Sequence, residues 1–324
     1  GESAYISSRA LIVTVGTFLS GKIHRGSMSF SGGRDGSSSS VSINEMFPGV
    51  KKLTKKFKTG TPARIFSKSV SLEQMEEQVS DDTVENFHVL HGTSRFLPQI
   101  SCYKTKTSEK TVETILGNKE KSPMFNGQIE GVGPRYCPSI EDKVFRYPER
   151  HDQHVFVEPE GLDCETLYPN GISTSLPKDI QLEFIRSIHG FESAEIQTYG
   201  YAVEYEVLDT SYLGLTLEHE SYPGLYFAGQ VNGTSGYEEA AGQGLVAGLN
   251  SALLLLKKDP VIFPRGTSYL GVLIDDIVGT KRDEPYRLFT ARSENRLFLR
   301  EDNSLDRLGK IRLSLGLDNN LDRF

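Results

Sequence analysis

Gly229, Gly233 and Gly236 are spaced along a bend that begins where an apolar run, Leu225-Tyr-Phe-Ala228, stops. Glycine reaches positive φ without penalty and lets a ligand come close to the backbone, as a turn that wraps a pyrophosphate requires. Between these glycines Gln230, Asn232 and Thr234 offer amide and hydroxyl groups. Ser235 and Glu238 have the spacing of a capping box, which predicts a helix starting near Gly236. A helix begun there directs unpaired N–H groups and the positive end of its dipole into the bend. A second chemistry is suggested by Cys137, two residues from Arg135, a cation that favours a thiolate and hence a nucleophile. A small buried thiol filling a turn is the alternative for Cys137.

The elements that must position these groups follow from the pattern. Leu225–Ala228 reads as a buried strand, and the helix after Gly236 carries Ala240, Gly244, Ala247, Gly248 and Ser251, a nearly bare face suited to a sheet or a flat ligand. Leu11-Ile-Val-Thr-Val15, with a turn at Gly16, reads as a second strand of the same fold. Phe30-Ser-Gly-Gly-Arg-Asp-Gly-Ser-Ser-Ser-Ser40 lacks any periodicity and reads as a loop. Alternating strands such as His154-Val-Phe-Val157 and Tyr201-Ala-Val-Glu-Tyr205 mark a mixed α/β region in mid-chain.

Composition bounds the rest. At 324 residues and 37% hydrophobic content there is material for two cores. A net charge of −7 argues against a protein that coats nucleic acid indiscriminately, while leaving room for local basic surface. Cys102 and Cys164, read as structural, and Cys137 are too scattered for a disulfide framework or a zinc site, which suits a reducing compartment. His151 and His154 have no third ligand nearby, so no metal site is expected. The apolar run Leu253–Leu256 is too short to span a bilayer, so no membrane association is expected. No Ser-His-Asp order or P-loop is present, which sets hydrolase and NTPase chemistry aside.

The string Phe-Ala-Gly-Gln-Val-Asn-Gly-Thr-Ser-Gly-Tyr-Glu-Glu-Ala-Ala (residues 227–241) resembles the C-terminal flavin motif of the GidA/MnmG family, the MTO-type proteins of mitochondria. Other blocks follow in the family order: Thr14-Val-Gly-Thr-Phe-Leu19, Phe57-Lys-Thr-Gly-Thr-Pro-Ala-Arg64, Gly131-Val-Gly-Pro-Arg-Tyr-Cys-Pro-Ser-Ile-Glu-Asp-Lys143, Tyr168-Pro-Asn-Gly-Ile-Ser-Thr-Ser-Leu-Pro177 and Glu284-Pro-Tyr-Arg-Leu-Phe-Thr-Ala-Arg292. The resemblance implies an α/β, two-dinucleotide-binding flavoprotein with a Rossmann-like FAD domain, an inserted NAD(H)-type α/β domain and the start of a C-terminal helical domain. The expected division is 1–64 and 206–256 for the FAD domain, 65–205 for the insertion and 257–324 for the helical part.

The resemblance further implies modification of C5 of a transfer-RNA wobble uridine with an aminomethyl-type group. FAD and NADH would be the cofactors, methylene-tetrahydrofolate the one-carbon donor, an MnmE-type GTPase the partner, and a homodimer the assembly, cytoplasmic in bacteria or mitochondrial in eukaryotes. It places FAD contacts at Ser40, Gly229, Gln230, Asn232, Gly233, Thr234, Gly236 and Glu238. NAD(H) contacts fall at Gly133, Pro134, Arg135, Tyr136, Pro138, Ser139 and Lys143, with Cys137 the candidate nucleophile toward C6 of the uridine. Where family members carry Asp-Pro-Pro-Ser this chain has Ser37-Ser-Ser-Ser40. The family's opening βαβ unit, with its G-x-G-x-x-G turn and a further cysteine, is not found before Ala10, and the family's helical domain would continue past Phe324. The competing expectation is therefore a truncated, inactive fragment that binds tRNA or a partner and holds no FAD.

Two basic stretches are candidates for RNA. Lys51–Lys58 is dense and carries an aromatic, with Lys55, Lys56 and Lys58 the expected phosphate contacts. Arg292, Arg296 and Arg300 are spaced i, i+4, i+8 and predict a stripe on one helix face, interleaved with acids that could instead pair with them.

Overall fold

The computed structural model describes residues 5–81, 97–135 and 138–316. The chain forms two compact units, each assembled from separated stretches: residues 1–21, 36–57 and 205–324 in the first, 22–35 and 58–204 in the second.

The first unit is built on a parallel pair, Leu11–Val13 beside Leu225–Phe227, with Val13 opposite Phe227. Residues 225–228 are all buried, as a continuous apolar run flanked by turns requires of an inner strand. The helix Tyr237–Leu255 follows the bend and packs back on both strands, and the helix Tyr269–Gly279 packs against it. Leu19, Ile43, Phe227, Val231, Val246, Leu273 and Ile277 form the core between these elements.

The buried face of the long helix shares Ala247 and Ser251 with the bare face expected from the sequence but is not confined to it. Glu239, Gln243, Val246, Ala247, Asn250, Ser251 and Leu253 turn inward. Gly244 is exposed, and an added Cβ at Gly244 or Gly248 would meet nothing within 4 Å. Three of the inward residues are Glu, Gln and Asn, so the helix is oriented by buried hydrogen bonds as well as by apolar area.

The second unit carries a six-stranded sheet ordered Ile196–Thr198, Arg64–Phe66, Thr166–Asn170, His154–Pro159, Cys102–Lys106 and Glu76–Gln78, with every neighbouring pair antiparallel. Val155 and Val157 are buried while His154 and Phe156 are exposed, the period-2 pattern of a sheet covered on one face. The helices Glu109–Leu116, Ile140–Arg146 and Lys178–Arg186 supply Val112, Ile115, Ile140, Val144, Phe184 and Ile185 to the core that covers it. A four-stranded sheet, ordered Met28–Ser31, Lys22–Arg25, Tyr201–Tyr205 and Phe57–Thr61, brings residues 22–35 to the strands through which the chain enters and leaves this unit.

Candidate functional site

In the first unit the strand Leu225–Phe227 ends at Gly229, whose φ of 89° and ψ of −145° lie in a region open essentially to glycine alone. Gln230–Asn232 makes one 3₁₀ turn, and Gly233 closes it in the left-handed region at φ 82°. An added Cβ at Gly233 would press on Val207 Cγ1 at 3.2 Å and on the Phe57 ring at 3.3 Å, so both backbone angle and space demand glycine. Gly236 then stands extended as the N-cap of the 19-residue helix.

The expected capping box does not form. No side chain caps this helix, and the buried Ser235 Oγ has no hydrogen-bond partner. The Ser235 N–H donates instead to the Tyr286 carbonyl at 3.1 Å, and the Tyr286 N–H donates to the Gly233 carbonyl at 2.8 Å. The bend is thus bridged by the segment around Tyr286, which holds Ser235 where it cannot reach the helix start.

Polar side chains fix the bend from within. Gln230 Nε2 donates to the Tyr205 hydroxyl at 3.0 Å, and burial pushes that phenol well above its ordinary range. Gln243, fully buried nearly two turns into the helix, accepts from the Gly229 N–H at 3.0 Å and from Asn232 Nδ2 at 2.9 Å. Asn232 also donates to the Phe227 carbonyl at 2.8 Å, and its Oδ1 is buried without a partner. Thr234, likewise buried, donates to the Gly229 carbonyl at 3.3 Å. Glu238 is exposed at the helix start, 3.6 Å from Arg287 Nη2, whereas Glu239 is buried and accepts from Arg287 Nε at 3.0 Å and the Leu288 N–H at 2.8 Å.

Ser40 stands beside Leu19 and spends its hydroxyl on the Phe18 carbonyl at 2.9 Å. Nearby on the same unit, burial tends to raise the Glu206 carboxyl, but Lys52 and Ser42 outweigh it and hold that group below the usual carboxylate range.

In the second unit the block 131–143 is held at both ends. The buried Glu204 accepts from the Glu130 and Gly131 N–H groups at 3.0 and 2.6 Å and from His24 Nε2 at 2.7 Å. Gln128 Nε2 lies 3.2 Å from His24 Nδ1, so both ring nitrogens of His24 face polar side chains. At the other end Ser139 caps the Ile140–Arg146 helix in a capping box with Asp142, and Lys143 donates to the Gly171 carbonyl at 2.7 Å. Glu141 Oε1 accepts from Thr174 and from the Ser175 N–H, while Oε2 is buried and unpartnered; burial pushes this carboxyl up despite those donors. Gly133 lies against the end of the Lys58 side chain, which a Cβ there would displace. Pro134 and Pro138 are half-buried and Arg135 is exposed. Tyr136 and Cys137 lie outside the described residues.

The basic candidates divide. Lys55 is exposed, 3.8 Å from Asp283, and Lys56 is half-buried. Lys58 does not belong to that surface: it is 5% exposed, 3.6 Å from Asp142, and donates to Met124 Sδ at 3.1 Å, because the strand Phe57–Thr61 turns it inward. The expected helix through Arg292, Arg296 and Arg300 is likewise absent. A 3₁₀ turn ends at Arg292 and irregular turns follow, so the three do not form a helical stripe, although all are exposed. Arg292 sits 5.3 Å from the Tyr286 ring centre, and Arg300 pairs with Asp302 at 2.9 Å.

Gln243, Glu204 and His24 are the residues that sequence reasoning passed over. A lone Gln amid small helical residues was the available signal for the first; nothing local links His24 to a partner 180 residues away. Among the described residues no cluster of His, Cys, Asp or Glu could hold a metal, and no helix is long and apolar enough to cross a membrane.

The bend fits an FAD dinucleotide on three counts. Gly229 and Gly233 give the backbone the positive φ angles of the bend, the first-turn N–H groups of a long helix follow directly, and two buried polar atoms, Asn232 Oδ1 and Ser235 Oγ, lack partners. Residues 1–259 match the family described as glucose inhibited division protein A. The structure is similar to Aquifex aeolicus GidA in the form I crystal, with a TM-score of 0.86 and 43% identity, and to the form II crystal, with 0.84 and 41%. Each similarity covers 96% of this chain but only 53% and 50% of those chains, so this chain spans about half the length of these relatives. Family match and fold agree: this chain has the α/β fold of the FAD-binding, Rossmann-like class and belongs to the GidA family.

Proposed function

We propose that the chain takes part in FAD-dependent modification of transfer RNA at C5 of the wobble uridine. The observation that carries this reading is the glycine bend at 229–236, with its two unpartnered buried polar atoms, in a chain of this family. Gly229, Gly233 and Gly236 would shape the bend that receives the cofactor, and Gln230, Asn232 and Thr234 would supply hydrogen bonds. Bound FAD supplies hydride transfer. The chain's residues orient it and exclude water from the buried side of the bend.

NADH is the proposed reductant, with the block Gly133–Lys143 as its contact. The anchoring of that block by Glu204 and Glu141 supports a preset binding loop. Cys137 is the proposed nucleophile: its thiolate would add to C6 of the uridine, the C5–C6 π electrons would bond C5 to the methylene carbon as its bond to a folate nitrogen breaks with the electron pair on nitrogen, and loss of the C5 proton would re-form the double bond and release the sulfur. An MnmE-type GTPase and a second copy of the chain are the proposed partners.

The test is the visible spectrum of the purified chain after incubation with FAD and desalting, followed by NADH. A retained flavin band that bleaches supports the reading, and tRNA nucleosides are then analysed by mass spectrometry after incubation with the folate and a GTPase partner. A chain that leaves desalting colourless overturns the cofactor reading for it.

A further inference from the structure

The geometry points to Gln243 as the positioning residue that sets the cofactor bend, by fixing the Asn232 amide so that one acceptor is left unpaired for the ligand. Gln243 has only one workable orientation. Its Nε2 lies 3.1 Å from the Glu239 carbonyl, which can only accept, so that end must donate and Oε1 must accept from the Gly229 N–H. The same Nε2 donates to Thr234 Oγ1 at 2.9 Å, and Thr234 passes its own proton to the Gly229 carbonyl. Gly229 is thereby held at both its N–H and its carbonyl by a closed ring through Gln243 and Thr234.

That orientation dictates the next. The Asn232 group 2.9 Å from Gln243 Oε1 and 2.8 Å from the Phe227 carbonyl faces two acceptors, so it is the NH₂ end. Oδ1 must then be the atom without a partner, and it is buried. A buried acceptor left open costs free energy unless something supplies a donor. A hydroxyl or ring N–H of the dinucleotide is such a donor. This assignment rests on the FAD reading above and adds a residue that makes no contact with the ligand.

The experiment compares Gln243→Met, which keeps length and loses every polar bond, with Asn250→Leu. Asn250 is buried two turns further along the same helix and bonds Val246 and Val261, away from the bend. Flavin affinity is read by fluorescence quenching, stability by urea unfolding, and the bend by hydrogen exchange of the Gly229 amide. Gln243→Met is expected to weaken flavin binding by about tenfold or more and to speed Gly229 exchange, while Asn250→Leu loses stability yet binds flavin within about twofold of the parent. If Gln243→Met does not fold, Gln243→Glu is read the same way, since it keeps the acceptor bonds and loses the donors. Loss of affinity in both variants in proportion to lost stability would overturn the assignment and leave Gln243 a fold-holding residue. A parent that binds no flavin, with Gly229 exchange still governed by Gln243, would overturn the cofactor reading and with it the role toward a ligand.

Discussion

His24 Nε2 donates to Glu204 Oε2 at 2.7 Å with both side chains buried, and the same carboxylate caps the Gly131 N–H at the head of the block that contains Cys137. Burial acts to raise Glu204, yet the donors His24, Gly131 and Glu130 prevail and its carboxyl lies below the ordinary range. A depressed carboxylate stabilises the fold fully above its unfolded value and loses that contribution as pH falls through the folded one. The contribution of Glu204 to the urea unfolding midpoint should therefore hold steady from neutral pH to about 5 and fall below about 4, the unfolded range for a glutamate. Glu204→Gln should remove part of that acid-side fall while lowering stability at pH 7.

Glu141 titrates in the opposite sense. Its folded value is raised by burial, so its contribution is complete below the unfolded value near 4.3 and declines as pH rises through the folded one. Glu141→Gln retains the Oε1 acceptor for Thr174 and Ser175 and should flatten that decline, measured as the unfolding midpoint against pH.

The glycines of the bend and of its helix should respond in opposite directions. Gly233→Ala places a side chain at positive φ against Val207 and Phe57 and should cost about 1–3 kcal/mol, with loss of flavin retention. Gly244→Ala sits in open space in a helix interior and should stabilise by about 0.5–1 kcal/mol, read by urea unfolding. A Gly244→Ala chain that loses flavin would show that the bare helix face, and not the bend, approaches the ligand.

Tyr286 ties the bend to the C-terminal segment. Its hydroxyl donates to Asp276 at 2.6 Å, and Arg282 and Arg292 lie 4.2 and 5.3 Å from its ring centre. Tyr286→Phe should cost about 1–3 kcal/mol by leaving Asp276 one donor short. Tyr286→Ala should cost more and speed exchange of the Ser235 amide, which bonds the Tyr286 carbonyl.

For RNA, Lys55→Ala with Lys56→Ala should reduce the dependence of tRNA affinity on salt by about one to two units of log–log slope. Lys58→Met should instead lower stability by removing the cation beside Asp142, with an unchanged slope. Filter binding across a salt series separates the two.

The strand–bend–helix was legible because its signals are local: an apolar run, glycines and a helical stretch lie within thirty residues. The inward face of that helix was legible only in part, because small residues suggest close packing whereas the fold also buries Glu239, Gln243 and Asn250, whose partners lie at Arg287 and Leu288, in the bend and at Val261. Lys58 misled for a related reason. A run of lysines reads as surface until a strand covered on both sides at Phe57 and Lys58 buries one of them beside Asp142. The arginine stripe failed because spacing alone presumes a helix that the segment after Arg292 does not form.

The pairing of Leu11–Val13 with Leu225–Phe227 has a consequence for biosynthesis. The first strand leaves the ribosome about 200 residues before its neighbour, a wait of roughly 10–40 s at ordinary elongation rates. Its apolar edge must be sheltered for that time, while all of residues 58–204 are made and free to fold. Synthesis order thus favours completion of the second unit before the first, and it makes the early strand the segment of this chain with most to gain from a chaperone.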